Sequence, residues 1–100
     1  DLNICVPHLG ADEFDAYRQM LLKYDNLWLD TTMTLADYLP MDYFPNLIEM
    51  RTDRIMFGTD FPNLPYAWDR EIRRHIGLNL PDTALERILG KNAMKFYSII

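Results

Sequence analysis

The spacing of apolar residues changes several times along the chain, and each change marks an element. Leu2 to Val6 is a short run of β-type residues rich in Ile, Val and Leu, closed by Pro7-His8-Leu9-Gly10. From Asp12 the period lengthens. Phe14, Tyr17, Leu21 and Tyr24 recur at helical spacing and form one apolar stripe. Asp12, Glu13 and Asp15 crowd the first turn of this helix and Lys23 lies near its end, the charge order that a helix dipole favours. Asp25-Asn26 then turn the chain into Leu27–Thr32, a second strand with Asp30 at its acidic end.

Between Thr34 and Met50 the pattern is less regular. Leu35 to Leu39 reads as one or two helical turns stopped before Pro40, and Phe44 to Arg51 as a helix with Pro45 near its start. Ile55 to Thr59 is the third strand. Ile55, Met56 and Phe57 in succession suit a strand buried on both faces, and Gly58 and Pro62 mark where it stops. Two prolines, Pro62 and Pro65, stiffen the loop that follows. Trp68, Ile72 and Ile76 then share one helical face, and Gly77 ends that helix. Asp82 is placed to cap a helix over Thr83 to Leu89, with Leu85, Ile88 and Leu89 turned inward and Gly90 as its stop. Asn92 is placed to cap a last helix through Met94, Phe96 and Tyr97.

The order of elements is strand, helix, strand, helical region, strand, helices. Such alternation predicts an α/β fold with parallel strands joined by right-handed crossovers. Three parallel strands standing alone leave two open edges. The same elements make sense as the C-terminal three βα units of a TIM (β/α)8 barrel of about 250 residues, a partial barrel formed by residues 1–100 as one domain part. The opening Asp1-Leu2-Asn3-Ile4-Cys5-Val6 already reads as a strand, which suggests a piece of a longer protein.

Composition narrows the function classes. The chain is 49% hydrophobic and 25% charged, an ordinary composition for one small folded unit, and its net charge is −5. Arg70, Arg73 and Arg74 form the densest basic group, but Asp69 and Glu71 sit among them, so a solvated helix face is expected rather than a phosphate-binding surface. No nucleic-acid partner is expected. Cys5 is the single cysteine, which excludes an internal disulfide and a multi-cysteine zinc site and suits a cytoplasmic setting. No apolar run approaches the roughly 20 residues of a membrane helix, so no membrane partner is expected either.

Parallel strands bring their C-terminal ends to one rim, where α/β proteins place their active sites. Those ends carry His8, Asp30 and Asp60. One imidazole and two carboxylates can serve as a metal site or as an acid/base pair. Each also has a plainer role open to it. His8 can be a hydrogen-bonded residue of a tight turn, Asp30 can fix a turn through its own backbone, and Asp60 can cap a turn or helix. His75, on the Arg-rich face of its helix, is expected at the surface. Trp28 and Trp68 are expected to pack, although Trp68, Tyr66 and Phe61 all lie close enough to Asp60 in sequence to reach a substrate.

Four segments carry a resemblance across nearly the whole chain. They are Val6-Pro7-His8-Leu9-Gly10, Asn26-Leu27-Trp28-Leu29-Asp30-Thr31, Arg54-Ile55-Met56-Phe57-Gly58-Thr59-Asp60-Phe61-Pro62, and Ile88-Leu89-Gly90-Lys91-Asn92-Ala93. Together they resemble the C-terminal part of an amidohydrolase-family-2 protein, one of the metal-dependent TIM-barrel hydrolases and decarboxylases that include aminocarboxymuconate-semialdehyde decarboxylase. The third and fourth segments are the most specific.

The resemblance implies that Asp60 is the strand-eight Asp, a metal ligand that also orients or deprotonates the bound water. It implies that His8 is the strand-six His, which polarises substrate or shuttles a proton in single-metal members and ligates in two-metal ones. The implied cofactor is a divalent metal, zinc first, that makes hydroxide available near neutral pH. The implied partner is a small-molecule substrate, a small acid, amide or ester, cyclic and aromatic ones included. Asp30 matches no shared functional position, and Asn92 and Ala93 match an ending expected to cap the last helix. One departure is plain: the family's His-x-His on strand one and its His on strand five have no counterpart here, so the ligand set is incomplete and the 100 residues alone are expected to be inactive and to hold metal weakly. The competing expectation is a truncated, non-catalytic α/β module that self-associates as a homo-oligomer through open strand edges.

Overall fold

The computed structural model describes residues 2–11, 13–36 and 46–98. The expected place of Asp12 in the first helical turn, most of the Leu35–Leu39 turn and the start of the Phe44–Arg51 helix lie outside these residues. Three strands, β1 (Ile4–Val6), β2 (Leu27–Asp30) and β3 (Ile55–Met56), form one parallel sheet in the order β1-β2-β3. Ile4 faces Leu27 and Val6 faces Leu29 across the first ladder, and Asp30 faces Met56 across the second. The α/β class and the parallel pairing follow the alternation of the sequence.

The central strand organises the core because both of its faces are covered. Leu27 and Leu29 turn to one side and pack with Leu9, Phe14, Leu21, Ile55 and Ile88. Trp28 turns to the other, where Phe96 meets it edge-on at 5.5 Å and the Arg54 guanidinium lies 4.5 Å above its ring. The first crossover is α1 (Phe14–Lys23), which buries Phe14 and Leu21 of the expected stripe, while Tyr24 at its end is exposed. Ahead of it, His8, Leu9 and Gly10 form a left-handed turn with φ of 58°, 51° and 77°. Gly10 is required there twice over, by its φ and because the Tyr17 ring occupies the space a Cβ would take.

β3 is shorter than the expected Ile55–Thr59. Its last rung is the bond from Thr31 N to Met56 O at 2.9 Å, and the next amide, Phe57 N, donates instead to Ile88 O at 2.8 Å. The outer edge of β3 is therefore taken by the C-terminal helical segment. That segment runs through α3 (Asp82–Glu86), a π-helical turn (Arg87–Lys91) and α4 (Asn92–Phe96) with helical backbone at each junction.

This continuity corrects three expectations. Gly90 does not stop a helix, because a glycine permits a left-handed exit without imposing one, and the left-handed residue lies beyond α4, at Ser98 with φ 55°. Asp82 is the first helical residue and makes no side-chain cap, Pro81 holding the cap position. Asn92 is not a cap either. It sits within the helix, and its side chain donates to Thr52 O at 2.7 Å and Ile55 O at 2.8 Å. Ile88 is fully buried as expected, but Leu85 and Leu89 are only half-buried, the deeper partner being Ala84.

The largest correction concerns α2 (Arg70–Gly77). The expected inward face of Trp68, Ile72 and Ile76 is largely turned out, with Trp68 64% and Ile76 59% exposed, whereas Glu71 and His75 are both at 0%. The helix presents a polar pair to the interior because polar partners wait for it there, as described below.

Candidate active site at the strand-end rim

The three parallel strands bring His8, Asp30 and Asp60 to the same side of the sheet. By ordinary strand spacing β1 and β3 lie about 10 Å apart with β2 between them. His8 and Asp60 are both non-glycine residues in left-handed backbone, with φ of 58° and 72°. L-residues reach that region at a cost of roughly 1–2 kcal/mol each, and such outliers gather where function fixes the backbone.

His8 is held from two directions. Its backbone amide donates to Asp30 Oδ1 at 3.2 Å, and its ring Nδ1 lies 2.7 Å from Thr32 O. A carbonyl oxygen can only accept, so Nδ1 carries the proton and the lone pair of the neutral ring is at Nε2. Asp30 takes the plainer of its two roles. Its Oδ1 also accepts from Thr32 N at 3.1 Å, which ties the ends of β1 and β2 together. Its Oδ2 lies 3.8 Å from Cys5 Sγ, and burial first, with the Asp30 charge and hydrogen bond behind it, pushes that thiol up to about 12.

Asp60 is exposed, in a loop whose shape is fixed by bonds from Asn63 N to Asp60 O at 2.8 Å and from Phe61 N to Thr59 Oγ1 at 3.1 Å. Beside it, Thr59, Phe61 and Trp68 line an open cavity of 330 Å³. Trp68 is thus a rim residue rather than a packing one, while Trp28 packs in the interior as expected.

Behind the rim lies a buried polar chain that the sequence reading missed. Thr31 Oγ1 and His75 Nε2 are 3.0 Å apart, and His75 Nδ1 lies 2.7 Å from Glu71 O. The carbonyl again fixes the proton on Nδ1, so the Thr31 hydroxyl donates to Nε2. Burial keeps His75 neutral by lowering its pKa, an effect the Glu71 carbonyl opposes. Tyr66 Oη donates to Glu71 Oε1 at 2.9 Å. Burial raises the Glu71 carboxyl, against the Tyr66 hydrogen bond, the Met33 main-chain amide, the Arg70 charge and the nearby His8 ring, which all favour its ionised form. Glu71 Oε2 is buried without a hydrogen bond. A signal for this face existed in the sequence. Arg70–Gly77 holds only two apolar residues, Ile72 and Ile76, and Glu71 and His75 stand four apart, on one helical face.

With this geometry in place, the comparison with known families is informative. The sequence model of the amidohydrolase family matches residues 1–99. The chain belongs to the amidohydrolase family, and with it to a group of hydrolases and lyases that in general use divalent metals. No curated protein matches the chain. No helix among the described residues is long and apolar enough to cross a membrane.

Among the described residues no three or more His, Cys, Asp or Glu side chains converge in a way that could hold an ion. Asp60 and His8 Nε2 are the donors the rim provides, and a catalytic zinc takes three protein ligands. The described residues do not fit a complete metal site.

Proposed function

We propose that these residues are the strand-six to strand-eight part of a TIM barrel, and that the intact protein hydrolyses or decarboxylates a small acid, amide or ester, cyclic and aromatic ones included, with the help of a divalent metal. Asp60 supplies a carboxylate ligand, the other ligands coming from outside the described residues. His8 presents Nε2 to the substrate as proton acceptor or donor. The observation that carries this reading is the left-handed backbone at both His8 and Asp60, on the rim where parallel strands end. The cavity lined by Thr59, Phe61 and Trp68 is mostly apolar in character and suits a planar ring.

The test is turnover of aryl esters, anilides and hydroxybenzoic acids by the full-length protein, with metal content measured alongside. Asp60→Asn is expected to remove most of the turnover and to lower bound metal, and His8→Gln to remove turnover while keeping the metal. Wild-type turnover in Asp60→Asn would sink the assignment. Tight one-to-one zinc in the 100-residue chain, abolished by Asp60→Ala, would show that the ligand set is complete here after all.

A second reading, a non-catalytic module that self-associates, has one observation of its own. The outer edge of β3 is already occupied by Ile88 O and the Asn92 side chain, so a further strand adding there must displace both. The outer edge of β1 has no hydrogen bond among the described residues, and Leu2 and Ile4 beside it are exposed. Sedimentation of this chain as a folded monomer would remove that reading.

A further inference from the structure

The buried face of α2 holds both ends of the loop that carries Asp60, residues 58–69. Where the loop begins, the Phe57 ring meets the His75 ring edge-on at 5.0 Å, and His75 is bonded in turn to Thr31 at the end of β2. Where it ends, Tyr66 Oη donates to Glu71 Oε1 at 2.9 Å, and the Arg70 guanidinium lies 5.3 Å above the Tyr66 ring. Glu71 is fully buried, yet its Oε2 makes no hydrogen bond. A buried carboxyl that leaves one oxygen unpaired is a poor source of stability where an apolar side chain would pack. Its use lies in what the bond from Tyr66 holds.

That bond brackets residues 67–70, and inside the bracket Arg70 N donates to Ala67 O at 3.1 Å to close a turn. Trp68 lies in this turn and lines the 330 Å³ cavity. Phe61, which also lines it, belongs to the start of the loop. There Phe61 N is bonded to Thr59 Oγ1 at 3.1 Å and Asn63 N to Asp60 O at 2.8 Å. The separation of the two aromatic side chains is therefore set by two anchors, the Thr59–Asn63 turn and the Tyr66–Glu71 bond. Aromatic walls favour a flat ring over a puckered one, because ring faces and edges carry complementary charge.

We propose that Tyr66 and Glu71 are positioning residues for this cavity, clasping the loop so that Phe61 and Trp68 admit the aromatic ring of a small acid, amide or ester beside Asp60. Trp68 is the residue that determines this specificity. The inference rests on the substrate reading given above, but its readout needs neither turnover nor metal, so the two can fail separately. The clasp does not depend on the charge of Glu71, since Oε1 accepts from Tyr66 as a carboxylate or as the carbonyl of a carboxylic acid. A Gln side chain accepts in the same way, whereas a Met side chain does not.

The test is fluorine NMR on the full chain labelled with fluorotryptophan. It is titrated with acetophenone, an uncleavable stand-in for a benzoate ester, and with cyclohexyl methyl ketone, the saturated counterpart. Loss of a signal in Trp68→Phe assigns the Trp68 resonance, and the Trp28 resonance reports the core. In wild type, acetophenone should shift Trp68 and bind about fivefold tighter than the saturated ketone, the size of one aromatic contact. Tyr66→Phe and Glu71→Met should each weaken acetophenone binding about fivefold, the effect of losing one hydrogen bond. Both should move the Trp68 resonance of the free chain and leave Trp28 in place. Their double variant should bind no more weakly than either alone, and Glu71→Gln should bind as wild type does. No shift of Trp68 with acetophenone, or equal affinity for the two ketones, overturns the proposal. So does a folded Tyr66→Phe with wild-type affinity, or one in which Trp28 moves along with Trp68, the mark of general loosening. Should Glu71→Met not fold, Tyr66→Phe and Glu71→Gln decide. Weaker binding in the first with retention in the second supports the proposal, and the same affinity in both overturns it.

Discussion

Asn92 of α4 donates both hydrogens of its side-chain amide to main-chain carbonyls on the approach to the rim, Thr52 O and Ile55 O. The bond to Ile55 fills an acceptor on the outer side of β3 that no strand among the described residues reaches. A helix thus stands in for a strand at that edge and fixes where β3 begins, five residues before Asp60.

Removing this tether should be expensive. Asn92→Ala leaves two carbonyls without their donor and should destabilise the chain by about 2–3 kcal/mol. Asn92→Asp should be worse at neutral pH, because a carboxylate cannot donate and would face two carbonyl dipoles. Urea unfolding of the three proteins checks the order. A stability for Asp equal to or above that of Ala would show that the amide hydrogens are not what holds the segment.

Much of this arrangement is legible in the residues. The Leu27-Trp28-Leu29 run signals a strand covered on both faces, and the Phe14/Leu21 spacing gives the first helix its inward side. His8 and Asp60 are recognisable as strand-end residues from the Gly and Pro that follow them. What is not legible comes from tertiary context overriding a local rule. The apolar stripe of α2 is a poor guide because Thr31 and Tyr66 offer hydrogen bonds to Glu71 and His75, and satisfied polar groups can be buried. Gly90 looks like a stop, but its backbone stays helical because Ile88 and Asn92 on either side are anchored to β3. The role of Asp30 is decided by partners 22 positions away in sequence, at His8.

Gly58 tests how tightly the β2 turn and the Asp60 strand fit. A Cβ at Gly58 would fall on Thr32 Oγ1, so Gly58→Ala must push that hydroxyl aside, at a cost of about 1–3 kcal/mol. Thr32→Ala removes the obstacle but keeps the carbonyl that holds His8. The double variant should therefore recover most of the loss, a positive coupling that a double-mutant cycle of unfolding free energies measures. Additive effects would mean that Gly58 is constrained by something other than Thr32.

Burial, with the Asp30 contact behind it, sets the reactivity of the Cys5 thiol. Moving the thiol from 9.0 to about 12 lowers the thiolate fraction at pH 8 by about a thousandfold, so native Cys5 should alkylate far more slowly than in the unfolded chain. Asp30→Asn removes the second and third causes of the shift and leaves burial, so alkylation should speed up by roughly tenfold in a folded variant. Reaction of native Cys5 with iodoacetamide at the rate of an unfolded thiol would contradict the contact.

His75 and Glu71 give the fold a pH dependence with two opposing parts. The His75 pKa is lowered from 6.5 by burial, so below that value the unfolded chain binds a proton that the folded chain resists. Stability should therefore fall as pH drops from 6.5 toward the folded value, by up to about 1.4 kcal/mol per pH unit, and be fully present above 6.5. Glu71 has the reverse sign. Its pKa is raised from 4.5, so the folded chain takes up a proton first, and acidification toward 4.5 returns stability that the buried charge had cost. The two contributions oppose each other wherever their windows overlap, His75 acting from 6.5 downward and Glu71 from its raised value down to 4.5. Urea unfolding against pH should show the fall below 6.5 reduced in His75→Gln and the gain on acidification absent in Glu71→Gln. Equal slopes in wild type and His75→Gln between pH 6.5 and the folded transition would show that His75 is not buried in its neutral form. The bond from Thr31 would then lose its acceptor, because a protonated ring can only donate.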